Sequence, residues 1–184
     1  MTNTKLVNVP NKSKIKGSTF EREVAKDLSD LYNESFIRVA NSGAYVGGAN
    51  YHRVNTLSEG QVQSSRGDIQ PPDGWSFFNC ECKSYSDFPF HQLLFQGKIP
   101  ILEKFLSQLM DVAKPGDLNL LIMKFNRKGK YVVFENNLLN KHIKTNRYVS
   151  YTDEHNNTWA ITGYRDFWQL NKNSVQTLAN TGIL

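Results

Sequence analysis

Apolar positions recur along the chain with two periods, and the switches between them mark its elements. From Phe20 the spacing is helical: Phe20, Val24, Leu28, Leu31 and Tyr32 share one stripe that must pack against something. Ser18, with Glu21 three residues later, forms a capping-box pattern and predicts a helix start at Ser18. Residues 35–40, SFIRVA, have strand composition and run into the turn signal NSG. From Gly43 to Gly67 the periodicity dissolves into Gly, Ser, Asn and Tyr, which predicts a long loop of the functional or mobile kind.

The next stretch, GDIQPPDGWSFFNCECKS (67–84), reads as a hairpin turning at PPDG. With the turn at Asp73–Gly74, Asp68 is expected opposite about Asn79. Glu81 then becomes its diagonal neighbour on the same face, ~7–8 Å away between Cα atoms. Lys83 shares that face, while Phe78, Cys80 and Cys82 point the other way, into the core. Residues 86–100 are aromatic and irregular and carry no assignable period. Pro100 suits the first turn of a helix to about Ala113, with a stripe of Leu102, Phe105, Leu106, Leu109 and Met110. LNLLIMKF (118–125) is nearly continuous apolar sequence, as for a buried central strand; NRKG turns the chain into KYVVFE (130–135). Shorter strands follow around 148–151 and 158–162, then a helical piece from Asp166. Helix, strand, hairpin, helix and buried strand in that order predict an α/β fold, a mixed sheet flanked by helices.

The 184 residues suffice for one substantial core, with 39% hydrophobic and 21% charged residues as in a globular protein. Lys5, Lys12, Lys14 and Lys16 make residues 1–16 a flexible basic arm, ahead of a single domain at 17–184. Its core is expected at about 17–135 and a C-terminal extension at 136–184. A net charge of +5 and a pI near 9.1 suit a polyanionic partner, nucleic acid being the commonest, and equally a mildly basic protein without one. Cys80 and Cys82, two apart on a strand, sit at or beyond disulfide reach and read as small core thiols in a reducing compartment. No apolar run approaches the ~18 residues that span a bilayer, and no signal peptide opens the chain, so a cytoplasmic protein is expected.

Asp68, Glu81 and Lys83 on one face admit two readings. One is a solvated hairpin with a surface Lys–Glu pair. The other is a cleft: two carboxylates repel and one pKa rises unless a cation sits between them, and oxygen ligands favour Mg²⁺ or Mn²⁺. Such a cation activates water, and a neighbouring ammonium orients that water and holds a scissile phosphate.

KGSTFER (16–22), RVANSG (38–43), GDI (67–69) and ECK (81–83) resemble, in order, the motifs of the PD-(D/E)xK nuclease superfamily. The resemblance is nearest to archaeal-type Holliday junction resolvases and their phage relatives. It covers about residues 14–125, and LEKFLSQLMDV followed by LLIMKF fits that family's downstream elements. It implies a restriction-endonuclease-like core and a metal-dependent DNA endonuclease, with Mg²⁺ as cofactor and Mn²⁺ as substitute. It also implies branched DNA as partner, no membrane, and a homodimer, since symmetric nicking of two strands needs two sites about a twofold axis. Helix 101–113 or the aromatics Trp159, Phe167 and Trp168 would supply its interface or the core. By position, the resemblance makes Asp68 and Glu81 the metal ligands, Glu21 a first-helix acid reaching toward the metal, and Lys83 the catalytic lysine. Ser42 matches a loop serine needed by some resolvases, and Arg22 and Arg38 match phosphate contacts.

Lys14 and Lys16 in the arm, and Lys124, Arg127, Lys128 and Lys130 about one turn, are further candidates for phosphate contact; a solvated turn explains the second group as well. Tyr45, Tyr51, His52 and Arg53 in the long loop suit a grip on nucleic acid, whereas His52 and His91 lack a motif that would make either a general base. The chain departs from the family at Gly67, where proline is frequent, in the long stretch between Ser42 and Asp68, in the aromatic segment after Lys83, and in its C-terminal extension. Two alternatives stay open: a nuclease of linear duplex or single-stranded DNA, and a non-catalytic DNA-binding module on the same fold.

Overall fold

Helix α1 (Lys12–Tyr32) starts six residues before the Ser18 of the capping-box pattern. The extra turns, KSKIKG, carry no apolar stripe, so hydrophobic periodicity could not show them. From Phe20 onward the expected stripe is buried: Phe20, Val24, Leu28 and Tyr32 are all less than a tenth exposed. The computed structural model describes residues 12–40, 66–95 and 97–183, so most of the stretch expected as a long loop lies outside the described residues.

Strand β1 (Ile37–Arg38) pairs antiparallel with β2 (Ile69–Gln70), Arg38 facing Ile69. Next come β3 (Phe78–Tyr85), a 3₁₀ turn (Phe90–Phe95) in the unassigned aromatic stretch, and α2 (Pro100–Met110). Then follow β4 (Leu118–Phe125), β5 (Gly129–Glu135), β6 (Tyr148–Thr152), β7 (Thr158–Gly163) and α3 (Tyr164–Thr181). The five longer strands form one mixed sheet ordered β3-β4-β5-β7-β6, parallel between β3 and β4 and antiparallel elsewhere.

Alternation along the strands divides two cores. Phe78, Cys80 and Cys82 of β3, with Leu118, Leu120 and Ile122 of β4, meet α1 and the Phe167, Trp168, Val175 and Leu178 face of α3. Leu121, Met123 and Phe125 point through the sheet to Leu102, Phe105, Leu106 and Leu109 of α2. The continuous apolar run of β4 thus reflects burial on both sides. Both cysteines are free and buried, as expected for core thiols. Helix α2 ends at Met110, which is 40% exposed instead of completing the stripe. Its buried face, like Trp159, Phe167 and Trp168, is committed to this chain's own core and supplies no surface for a second copy. No helix among the described residues is long and apolar enough to cross a membrane.

The ladder carries Lys83, Met123, Tyr131 and Gly163 at one level across β3, β4, β5 and β7. One pleat below lie Glu81, Leu121, Val133, Ile161 and Val149. Because Cys80 and Cys82 face α1, Glu81 and Lys83 project to the α2 side of the edge strand.

Candidate active site

The expected regular hairpin between Asp68 and Lys83 is not what the chain forms. β2 pairs with β1, and the 67–68 segment meets β3 at one point, with the register one residue from expectation. The Asp68 N–H donates to the Cys80 carbonyl at 2.8 Å, and Asp68 Oδ2 accepts the Cys82 N–H at 2.8 Å. The Asp68 carbonyl accepts the Val39 N–H at 2.9 Å. Asp68 is therefore locked by its main chain and side chain to the edge of β3, directly beside Glu81.

Gly67 makes that approach possible. Its φ is +58°, and a Cβ there would stand 2.5 Å from the Cys80 carbonyl oxygen. Proline, fixed near φ −65°, cannot take this conformation either, which accounts for the departure from the family pattern. Gly67→Ala is expected to lower stability by about 2 kcal/mol or more, from left-handed strain plus the steric collision; urea denaturation reads it directly.

One residue earlier, Arg66 is buried against Asp117, with side chains 3% and 1% exposed. Arg66 Nε also donates to the Val112 carbonyl at 3.1 Å, and Asp117 Oδ2 accepts the Lys114 N–H at 2.5 Å. This pair fastens the incoming chain to the loop between α2 and β4, two residues from Asp68. Sequence reading misses both partners, because a pair 51 residues apart leaves no periodic or spacing signal.

Glu81 and Lys83 form an ion pair, with side chains only 12% and 16% exposed. Burial, then the nearby charge of Asp68, pushes the Glu81 carboxyl up to about 7, against the pull of Lys83. Burial works against the Lys83 ammonium, but the charge and hydrogen bond of Glu81, joined by Asp68, raise its pKa overall. Lys83 is thus a cation and a donor at neutral pH, not a base. Glu21 reaches into the same field from α1: burial raises its pKa, Asp68 raises it further, and Arg38 opposes both through an ion pair. Glu21, Arg38, Asp68, Glu81 and Lys83 are therefore one electrostatic group.

The remaining candidates are placed differently. Ser42 lies outside the described residues, as do Tyr45, Tyr51, His52 and Arg53. Lys14 lies in α1, with its side chain outside the described set, and Lys16 is half-buried there. Arg22 is exposed, and its Nη1 donates to the Ser18 carbonyl at 3.4 Å. Lys124 pairs with Glu23 at 2.5 Å, and Lys130 pairs with Asp27 at 2.8 Å and Glu23 at 3.3 Å. Lys128 pairs with Asp87 at 2.5 Å, and Arg127 is exposed at the tip of the β4–β5 turn. Two grooves of about 410 and 350 Å³ open around Met110 and Glu135, toward the end of the sheet where β3 begins; none of Glu21, Asp68, Glu81 and Lys83 lines either.

A helix-flanked mixed sheet whose edge strand carries Glu81 and Lys83 and holds Asp68 alongside, in D-x12-E-x-K order, is the restriction-endonuclease-like architecture of PD-(D/E)xK nucleases. Within that class, the chain belongs to the family described as phage putative PDDEXK endonuclease, whose sequence model matches residues 12–177. The match continues past β5 through β6, β7 and most of α3. No curated protein and no solved structure matches the chain.

Proposed function

We propose that the protein is an endodeoxyribonuclease in which Asp68 and Glu81 hold a divalent cation, Mg²⁺ with Mn²⁺ as substitute, and Lys83 serves the scissile phosphate. The observation that carries this reading is the Asp68 carboxylate pinned to the Cys82 N–H beside Glu81, whose pKa is raised first by burial and then by the Asp68 charge. The donor set fits a hard cation: clustered carboxylate oxygens, no sulfur or imidazole ligand, and an excess of one negative charge when Glu21, Asp68 and Glu81 are ionised against Arg38 and Lys83. Among the described residues no three His, Cys, Asp or Glu side chains form a group able to hold one ion. The proposed ligand set is accordingly the Asp68–Glu81 pair, with Glu21 a further acid restrained by Arg38.

When bound, such a cation acidifies a coordinated water and offsets charge on the phosphate under attack. Lys83, protonated, donates to a non-bridging phosphate oxygen and orients the nucleophile. Arg38 limits the repulsion that Glu21 adds to the pair. Below pH about 7 Glu81 takes up a proton and becomes a poor ligand, so cleavage is expected to fall as pH drops through 7. The cation competes with that proton, so raising Mg²⁺ from 0.1 to about 10 mM should move the acid limb of the rate profile to lower pH.

The finer substrate reading, resolution of four-way junctions by a homodimer, draws its support from the order of the four motifs. Incubation with a four-way junction and with linear duplex of the same sequence, with Mg²⁺ or EDTA, tests both levels. Metal-dependent cutting that favours the junction, by a protein sedimenting as a dimer at micromolar concentration, is expected. Equal rates on the two substrates would retire the junction reading. No cutting of any DNA would leave the non-catalytic DNA-binding module.

A further inference from the structure

The cations singled out about the β4–β5 turn are largely engaged by acids: Lys124, Lys128 and Lys130 all sit in ion pairs. A different segment carries unopposed charge. Residues 136–152 contain no acidic residue and hold Lys141, Lys144 and Arg147, all exposed. None of the three has an ion-pair partner among the described residues. Seven other lysines and arginines among the described residues sit in ion pairs; what sets this segment apart is three unpaired cations within seven residues and no acid beside them in sequence.

The segment is also held rigidly. Ile143 is fully buried and plugs it into the α1–α3 core. Asn171 of α3, 1% exposed, accepts the Lys144 N–H at 2.7 Å and donates to the Lys144 carbonyl at 2.8 Å. Thr162 Oγ1 donates to the Arg147 carbonyl at 2.7 Å, and Thr145 Oγ1 to the same carbonyl at 2.9 Å. A backbone so fixed, bearing three unpaired cations, is a platform rather than a solvated tail.

The register places Arg147 relative to the active site, while Lys141 and Lys144 precede it on the side of the sheet where Ile143 and Asn171 anchor the segment. Lys83, Met123, Tyr131 and Gly163 occupy one level of the sheet, and Tyr148 pairs with Thr162, which puts Arg147 opposite Gly163 at the far end of that row. Four inter-strand steps of ~4.8 Å separate the two edges by ~19 Å, or about five to six base pairs along a duplex at 3.4 Å each.

Resting on the nuclease reading, we propose that Lys141, Lys144 and Arg147 form a second contact for the DNA backbone, so that the duplex bound at Lys83 runs across this end of the sheet to β6. The contact recognises phosphate charge and not sequence.

The test is binding of a fluorescein-labelled 20-base-pair duplex in EDTA, followed by anisotropy from 50 to 300 mM NaCl. The triple variant Lys141→Ala/Lys144→Ala/Arg147→Ala is expected to bind at least ~10-fold more weakly at 100 mM, with the slope of log K against log salt reduced by about 2 to 3, at ~0.9 per phosphate lost. The reversal variant Lys141→Glu/Arg147→Glu, which leaves the Asn171 contacts in place, should weaken binding further. Its melting temperature confirms that the fold persists. Trimming the duplex to fewer than about five base pairs on one side should reduce wild-type affinity and leave the triple variant unaffected. Wild-type affinity and slope in both variants would overturn the second contact while leaving the nuclease reading intact. A wild-type protein that binds neither this duplex nor a four-way junction would overturn both.

Discussion

Glu81→Gln is expected to lower DNA cleavage by about 10²–10³-fold, the scale of losing one preorganised stabilising group, and at the same time to raise the melting temperature. The second half follows from linkage. Glu81 has an ordinary carboxyl pKa of 4.5 in the unfolded chain and one near 7 in the fold. Between those values the folded chain binds more protons than the unfolded chain, so stability declines as pH rises through the window. Above pH 7 the cost reaches at most about 3–4 kcal/mol, at 1.36 kcal/mol per pH unit. Glutamine keeps the shape and cannot ionise. If it recovers about 1–2 kcal/mol, the midpoint in metal-free buffer at pH 8 rises by roughly 3–6 °C for a chain of this size. Thermal melting and a plasmid cleavage assay read the two halves independently. Lost activity with a lowered midpoint would make Glu81 structural, and retained activity would remove it from the ligand set. The same linkage makes Mg²⁺ stabilise the wild-type protein more at pH 8 than at pH 5.

Arg66→Leu is expected to cost 3–5 kcal/mol, the range for leaving one charge of a buried pair uncompensated. Asp117 would stand 1% exposed with the Lys114 N–H as its remaining charge-stabilising contact. Replacing both, Arg66→Leu/Asp117→Leu, should recover much of the loss, since the penalty lies in the orphaned charge and not in the missing attraction. The pair also sets the entry of Gly67 and Asp68 onto β3, so the double variant should remain folded but cut more slowly than wild type, with a higher Mg²⁺ requirement. Urea denaturation giving less than about 1 kcal/mol for Arg66→Leu would contradict the account of this pair.

What the sequence shows and hides divides along physical lines. The stripe Phe20–Val24–Leu28, the α2 stripe through Leu109 and the run 118–125 announce themselves because burial of a whole face is periodic. Asp68, Glu81 and Lys83 stand out because charge alternating with core residues on an edge strand is costly without a purpose. The start of α1 was hidden, since Lys12 to Gly17 bury no stripe. The register of Asp68 against β3 was displaced by one, because β2 pairs with β1 and the positive φ of Gly67 carries the chain in by a route that turn propensity does not specify. Ion pairs escape for a further reason. Glu23 with Lys124, Asp87 with Lys128 and Arg66 with Asp117 are joined only by the tertiary fold, so basic residues that look available in the chain are engaged, while Lys141, Lys144 and Arg147 are not.

The most direct test of the central claim is anomalous diffraction from crystals soaked in millimolar Mn²⁺. A peak at the carboxylates of Asp68 and Glu81 is expected, and so is its disappearance in Glu81→Gln crystals. A protein that cuts DNA with Mn²⁺ yet shows its peak elsewhere, or an equal peak in the variant, would contradict that claim.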